Sequence, residues 1–121
     1  MDFSLNEDER AIEDVARRFS KDRLAPFAAE WDETAHFPVD RLREAAQLGF
    51  AGIYVKSDVG GSEMSRLDAA IIMEELSAGC TSTAAFISIH NMASWMIDRY
   101  GSDAQRQRFL PSLTTMDKIA S

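Results

Sequence analysis

The chain has 121 residues, which is the size of one ordinary domain and is enough to bury a core without disulfides or metals. Twenty acidic against 13 basic residues give a net charge of −7 and a pI of about 4.7, which argues against a surface that binds nucleic acid. One cysteine excludes an internal disulfide, and with two histidines it argues against a structural zinc site. No apolar run approaches the ~18–20 residues that span a bilayer, and the acidic N-terminus lacks a signal-peptide pattern, so we expect a soluble domain from a reducing compartment.

The first helix is predicted from an S-x-x-E capping box that starts at Ser4 and ends at Glu7. Acidic residues follow in the first turn, where the helix dipole favours them, and apolar residues then recur at helical spacing. Pro26 disfavours helical geometry in the residue before it. We therefore expect a kink or break there, before the helix continues over Phe27–Trp31.

A second helix is predicted between Pro38, which suits a first helical turn, and Gly49, which suits a left-handed cap. The next segment, Phe50–Val55, is apolar and β-rich and could be a strand, although nothing obvious pairs with it. Residues 57–63 are predicted to form a turn because their paired glycines tolerate positive φ.

The third helix is predicted to be capped by Ser65 with Asp68 and to end at Gly79. Residues 81–83 (Thr-Ser-Thr) are expected to cap the longest apolar stretch, Ala84–Tyr100. Apolar residues surround that helix, which predicts a buried central helix.

A last helix is predicted from the capping box of Ser102 and Gln105 through Leu110, ahead of Pro111. The segment Met116–Ser121 looks extended. These elements predict one all-α domain over residues 1–121, an orthogonal or up-down bundle of about five to six helices.

Candidate nucleophiles and bases are few. Cys80 precedes the longest helix, whose N-terminus could lower a thiol pKa, but a buried filler is the favoured interpretation. His36 and His90 form no local pattern with Ser, Cys or Asp, and His90 is expected to be a hydrogen-bonded core or pocket residue. Glu74 and Glu75 diverge on one helix and are expected to be solvated or structural.

Gly60, Gly61 and Ser62 match no phosphate-binding loop and are predicted to form a plain turn. No single local motif therefore identifies an active site.

An ordered series of short motifs over nearly the whole chain resembles the acyl-CoA dehydrogenase family. The matching segments are Leu5–Glu7, Ala25–Pro26, Glu30–Asp32, Phe37–Pro38, Leu48–Phe50, Gly52–Ile53, Val59–Ser62, Met73–Leu76, His90–Asn91 and Gln105–Pro111. Within the family, residues 79–83 and 87–98 are most similar to branched-chain members. Glu63 departs from the pattern because a glycine is expected in that turn.

The resemblance implies an N-terminal helical domain, followed in the family by a middle β-domain and a C-terminal helical bundle. It implies FAD as cofactor and α,β-dehydrogenation of a short or branched-chain acyl-CoA such as isobutyryl-CoA, with a glutamate base in the C-terminal bundle. That base has no counterpart here, so we expect this chain to be inactive alone and to bind no cofactor by itself. An electron-transferring flavoprotein as partner, a homotetramer, and a bacterial cytoplasmic or mitochondrial matrix location are also implied.

The resemblance assigns the acyl-pocket wall to four residues of the longest helix: Ala85, Ser88, Ile89 and Met92. Spacings of three and four place them on one helical face. The alternative is that all four pack against neighbouring helices. Two other functions remain open, a stand-alone helical interaction module and a thiol redox protein acting through Cys80.

Overall fold

The computed structural model describes residues 1–121 and contains six α-helices and no strand, which confirms the all-α prediction. No helix in it is both long enough and apolar enough to cross a membrane. A π-helical turn at Ser20–Leu24 extends the first helix, and a short 3₁₀ helix occupies Ser57–Val59. The α-helices are α1 (Glu7–Phe19), α2 (Ala28–Thr34), α3 (Val39–Gln47), α4 (Arg66–Gly79), α5 (Thr81–Tyr100) and α6 (Asp103–Thr114).

The N-terminus of α1 is capped two residues later than predicted. Asn6 Oδ1 accepts from the Glu9 amide at 2.8 Å, and Glu9 Oε1 accepts from the Asn6 amide at 3.0 Å, which makes a reciprocal capping box. The predicted box from Ser4 to Glu7 is wrong because Ser4 instead donates its amide and hydroxyl to Asp2.

The predicted break at Pro26 is confirmed. The chain leaves α1 through the π-helical turn, in which the Ala25 amide donates to Ser20 O at 2.8 Å, and α2 begins only at Ala28. A π-helical turn absorbs one extra residue per turn, so it redirects the helix just before proline ends it. α2 ends at Ala35, which adopts the left-handed conformation with a φ of 54°.

The apolar segment after α3 is buried but is not a strand. Gly49 caps the end of α3 with a φ of +89°, as predicted. The amide of Ile53 donates to Asn91 Oδ1 at 2.8 Å, and Phe50 O accepts from Asn91 Nδ2 at 2.7 Å. Asn91 of α5 therefore satisfies two backbone groups of this segment, while carbonyls of Gly52, Ile53 and Val55 accept from the amides of residues 62–64.

The predicted capping boxes of α4 and α6 are confirmed, whereas the predicted cap of α5 is wrong. Ser65 exchanges hydrogen bonds with Asp68, and Ser102 does so with Gln105. The N-cap of α5 is Cys80, which makes no side-chain capping bond, and residues 81–83 lie inside the helix.

α6 does not stop before Pro111 but continues to Thr114. Pro111 removes one backbone donor from α6, but the last turn of the helix, Pro111–Thr114, still forms. Residues 115–118 form a turn and a bend, and Met116 is buried with a φ of 59°, so the prediction that the chain extends from Met116 is wrong at these residues.

The main core lies where α1 packs on α4 and α4 packs on α5. Its largest fully buried side chains include Phe50, Leu24 and Leu42, and the segment after α3 closes one side of it. A smaller apolar cluster joins Val55 and Val59 to Leu110 and Leu113 of α6. One face of α5 packs against both clusters, through Ala84 and Ile87 in the first and Ile97 in the second.

Candidate functional site

Helix α5 has an inverted polarity: its buried face is largely polar, whereas its exposed face carries large apolar side chains beside Ser88 and Arg99. The buried residues are Thr83, Ala84, Ile87, His90, Asn91, Ser94 and Asp98. On the opposite side, Ile89, Met92 and Met96 are 41%, 51% and 50% exposed. The prediction of a helix buried on all sides is therefore wrong, because neighbouring helices cover one face.

Every buried polar side chain of α5 has a hydrogen-bond partner, which explains how a polar face is tolerated in the interior. Asn91 bonds to Phe50 and Ile53 as described, and its Nδ2 also donates to Ile87 O at 2.9 Å. Ser94 Oγ donates to His90 O at 2.9 Å. The bonds of Asn91 to Phe50 and Ile53 fix which side of α5 faces inward, whereas the bonds to Ile87 and His90 stay within the helix.

His90 is fully buried between α6 and the C-terminal residues. Its Nε2 lies 2.8 Å from Leu113 O, and its Nδ1 accepts from the Ala120 amide at 3.2 Å. Burial lowers the pKa of His90 below its ordinary value, against the opposing effect of these two backbone bonds. The prediction of a hydrogen-bonded core histidine is confirmed.

The four residues assigned to an acyl pocket all lie on the exposed face of α5. Ala85 and Ser88 are exposed, and Ile89 and Met92 follow on the same side. Met96, which the sequence prediction omitted, continues the spacing by one turn. We call these five residues the α5 exposed face; none of them carries a charge.

A cavity of about 280 Å³ opens beside the N-terminal end of α5 and was not predicted. Phe37 and Phe86 line it and meet edge to face, with ring centroids 4.9 Å apart. Trp31 and Leu42 contribute further apolar wall, and Asp32 and Ser82 contribute polar groups.

Cys80 and His36 line this same cavity, although they are distant in sequence. The Cys80 Sγ accepts a hydrogen bond from Thr83 Oγ1 at 3.1 Å and is half-buried. The imidazole of His36 is exposed and lies tilted against Trp31, with ring centroids 6.4 Å apart. The hydrogen-bond partner of Cys80 Sγ is a hydroxyl and not a basic side chain that would activate the thiol, so the structure adds no support for the thiol redox hypothesis.

The paired acids of α4 are not placed for catalysis. Glu75 accepts from Arg17 Nη2 at 2.9 Å and from Arg17 Nε at 3.3 Å, which joins α4 to α1. Glu74 is exposed. No group of three or more His, Cys, Asp or Glu side chains is arranged to hold a metal ion.

The glycine-containing turn closes on itself instead of forming a cradle. Gly60 has a φ of +95° and lies against Thr114, and a Cβ on Gly61 would stand 2.0 Å from Val55 O. These close contacts with Thr114 and Val55 are possible because neither glycine has a side chain.

Glu63 occupies the position where the family resemblance led us to expect glycine, and its φ is 51°. That left-handed conformation accounts for a glycine preference. Its carboxylate accepts from the Ser57 amide at 2.8 Å and from the Ser57 hydroxyl at 2.9 Å. These bonds lower the pKa of Glu63 and hold the turn.

Comparison with known proteins shows similarity over nearly the whole chain. Residues 6–117 match the family model described as the acyl-CoA dehydrogenase, N-terminal domain. The chain is 55% identical over 119 residues to mitochondrial isobutyryl-CoA dehydrogenase of Bos taurus, covering 98% of this chain and 29% of that protein. It is also 55% identical over 117 residues to the mitochondrial isobutyryl-CoA dehydrogenase of Dictyostelium discoideum, covering 97% of this chain and 28% of that protein.

Among solved structures, a glutaryl-coenzyme A dehydrogenase in complex with glutaryl-CoA superposes with a TM-score of 0.93 at 28% identity. The match covers 99% of this chain and 31% of that one. The chain therefore spans under a third of the length of the relatives it matches.

Proposed function

The chain belongs to the acyl-CoA dehydrogenase family, and we propose on this basis that it forms the N-terminal helical domain of a flavin-dependent enzyme. That enzyme would introduce a double bond between Cα and Cβ of a short or branched-chain acyl-CoA such as isobutyryl-CoA. The identity of 55% to two isobutyryl-CoA dehydrogenases supports this choice of substrate. The role of this chain is to supply one wall of the acyl pocket.

The observation that carries the proposal is the inverted polarity of α5. A helix that turns His90, Asn91 and Asp98 inward leaves its apolar residues without cover. Exposed apolar surface of this kind marks a place where another apolar group binds. An acyl chain bound on this face would bury apolar surface, and that burial contributes roughly 25 cal/mol of binding free energy per Å².

The composition of the α5 exposed face suits a small acyl group. Ala85 and Ser88 have small side chains, and Ile89 lies beside them where it can narrow the pocket. Arg99 is exposed three residues beyond Met96, on the same side of the helix. One misplaced methylene costs only ~1–3 kcal/mol in such a pocket, so discrimination by this wall is expected to be moderate.

Dehydrogenation removes a proton from Cα and a hydride from Cβ, and FAD supplies the hydride acceptor in the complete enzyme. This chain contributes neither group. Its glycine-containing turn closes on itself instead of forming a cradle, and its paired acids lie in an ion pair or in solvent. We therefore assign the flavin and the base to parts of the enzyme outside residues 1–121, and to α5 the tasks of binding the acyl group and excluding water.

The remaining properties of the complete enzyme follow from the same proposal. We expect it to pass electrons to an electron-transferring flavoprotein, to assemble as a homotetramer, and to work in the mitochondrial matrix of a eukaryote or the cytoplasm of a bacterium. Both isobutyryl-CoA dehydrogenases compared above are mitochondrial enzymes, which supports the first location.

A stand-alone helical interaction module is the second candidate, and the same exposed face favours it. Size-exclusion chromatography and thermal melting of the 121-residue chain separate the two. A monodisperse, cooperatively melting monomer supports a module, whereas self-association or a non-cooperative melt supports a domain that is covered in a larger enzyme.

The experiment that tests the proposed function uses the full-length protein that carries this chain. It should be purified with a bound flavin and should oxidise isobutyryl-CoA with an artificial electron acceptor. A flavin-free protein, or one that turns over no acyl-CoA, would contradict the proposal.

A further inference from the structure

The two ring nitrogens of His90 hold two different parts of the chain. Leu113 O can only accept, so Nε2, which lies 2.8 Å away, carries the proton. The Ala120 amide can only donate, so Nδ1, which lies 3.2 Å away, is unprotonated. The geometry therefore assigns a neutral ring in a single tautomer.

Other bonds hold the same C-terminal residues. The Lys118 amide donates to Ser112 O at 3.1 Å, and Arg43 Nε donates to Met116 O at 3.3 Å. Met116 is fully buried. Residues 115–121 thus follow a defined path, and His90 is the residue of α5 that takes part in fixing it.

His90 lies on the buried side of α5, opposite the proposed acyl wall. Asn91 follows it and bonds to Phe50 and Ile53, so Asn91 fixes the rotation of α5 against the segment after α3. His90 then holds Leu113 and Ala120 against the same buried side of the helix.

We propose that His90 is a positioning residue, which sets the path of residues 115–121 relative to the α5 exposed face. This inference rests on the proposed function, in which the flavin and the base lie in parts of the enzyme outside residues 1–121. Loss of the hydrogen bond to Ala120 would shift that path while leaving the wall itself in place. A misplacement of this kind impairs the reacting geometry more than it impairs binding.

Two substitutions separate the two hydrogen bonds. His90→Gln places an amide near the position of Nε2, so it keeps the bond to Leu113 and loses the bond to Ala120. His90→Asn places an amide oxygen near the position of Nδ1 and keeps the bond to Ala120. Ser94→Ala is the matched control, because Ser94 is equally buried on α5 and bonds only to His90 O.

Amide hydrogen exchange and steady-state kinetics of the full-length protein provide the test. Exchange of the peptide that contains Ala120 should be about tenfold faster in His90→Gln, the effect of losing one hydrogen bond, and near wild type in His90→Asn and Ser94→Ala. The value of kcat/KM for isobutyryl-CoA should fall about tenfold in His90→Gln, mostly through kcat, and should stay within about twofold in the other two.

Equal losses in His90→Gln and His90→Asn would overturn the proposal, since a residue that merely fills space would respond to both. Unchanged exchange at Ala120 in His90→Gln would overturn it as well. If the wild-type protein turns over no acyl-CoA, the proposed function fails, and the exchange pattern of the two variants still decides whether His90 holds the C-terminal residues.

Discussion

Arg106 and Asp98 form a buried ion pair that joins α6 to α5, with Arg106 Nε 2.9 Å from Asp98 Oδ1. The other edge of the guanidinium binds both oxygens of Asp58, at 2.8 and 3.1 Å. Asp98 Oδ2 accepts from the Lys56 amide at 3.2 Å. The hydrogen bonds to these acids raise the pKa of Arg106, and the guanidinium lowers the pKa of Asp58. One charged cluster therefore connects three separate segments of the chain.

Removal of Asp98 should destabilise the domain far more than removal of an exposed acid. Asp98→Ala removes the buried carboxylate that accepts from Arg106 Nε. We therefore expect the melting temperature of the domain to fall by about 5–10 °C. Asp14→Ala, which removes the exposed pair with Arg18, should change it by less than about 3 °C. Calorimetry on both variants checks this, and equal small shifts would show that the cluster contributes nothing.

Asn91 should be among the least replaceable side chains of the domain. Asn91→Leu has a similar volume but leaves Ile53 N and Phe50 O without partners in the interior, which should cost about 2–4 kcal/mol of unfolding free energy. Ser94→Ala removes one bond within α5 and should cost less than about 1 kcal/mol. Urea unfolding measures both, and a cost for Asn91→Leu as small as that for Ser94→Ala would disprove the role of Asn91 in satisfying these two backbone groups.

The helix ends were predictable from sequence where their bonds are local. Ser65 bonds to Asp68 and Ser102 to Gln105, each three residues away, so the motif contains its own partners. The segment at residues 50–55 was not predictable, because two of its backbone groups bond to Asn91 on a helix far along the chain. A long-range side-chain bond leaves no spacing pattern in the sequence.

The candidate site was predictable in its residues but not in its surroundings. The spacing of Ala85, Ser88 and Met92 placed them on one face of a helix, and the structure does so. Whether that face is buried depends on which helices pack beside it, and composition suggested burial on all sides. The cavity beside Phe37 and Phe86 was missed for the same reason, since its walls come from four separate elements or loops.

The turn at Glu63 should prefer glycine to alanine. Both Glu63→Gly and Glu63→Ala lose the bonds to Ser57, but only glycine adopts a φ of 51° without a steric cost. Glu63→Gly should therefore melt about 4–8 °C above Glu63→Ala. Thermal melting followed by circular dichroism decides the point, and a Glu63→Ala variant at least as stable as Glu63→Gly would contradict it.

His90 should make the domain lose stability as the pH falls below neutrality. Its pKa is lowered in the folded state from the ordinary value of 6.5. The unfolded chain therefore binds a proton at a higher pH than the folded chain does, and stability declines from about pH 6.5 down to the folded pKa. The acids with lowered pKa values, Asp2, Asp58 and Glu63, act only below their ordinary values of 3.8 for aspartate and 4.5 for glutamate.

Melting temperatures recorded from about pH 8 to about pH 5 test this dependence. The wild type should lose stability over the lower half of the range, and His90→Asn should lose less because it has no group to protonate. Parallel curves for the two proteins would show that His90 protonates equally in the folded and unfolded states.

The most direct test of the central claim is the steady-state rate of the full-length protein with isobutyryl-CoA after one wall residue is enlarged. Ala85→Leu should reduce kcat/KM by about 10–200-fold, because it fills space that the acyl group would occupy on the α5 exposed face. Ser77→Leu, at an exposed position of α4, should remain within about twofold of wild type. If Ala85→Leu and Ser77→Leu behave alike, α5 does not form the acyl wall.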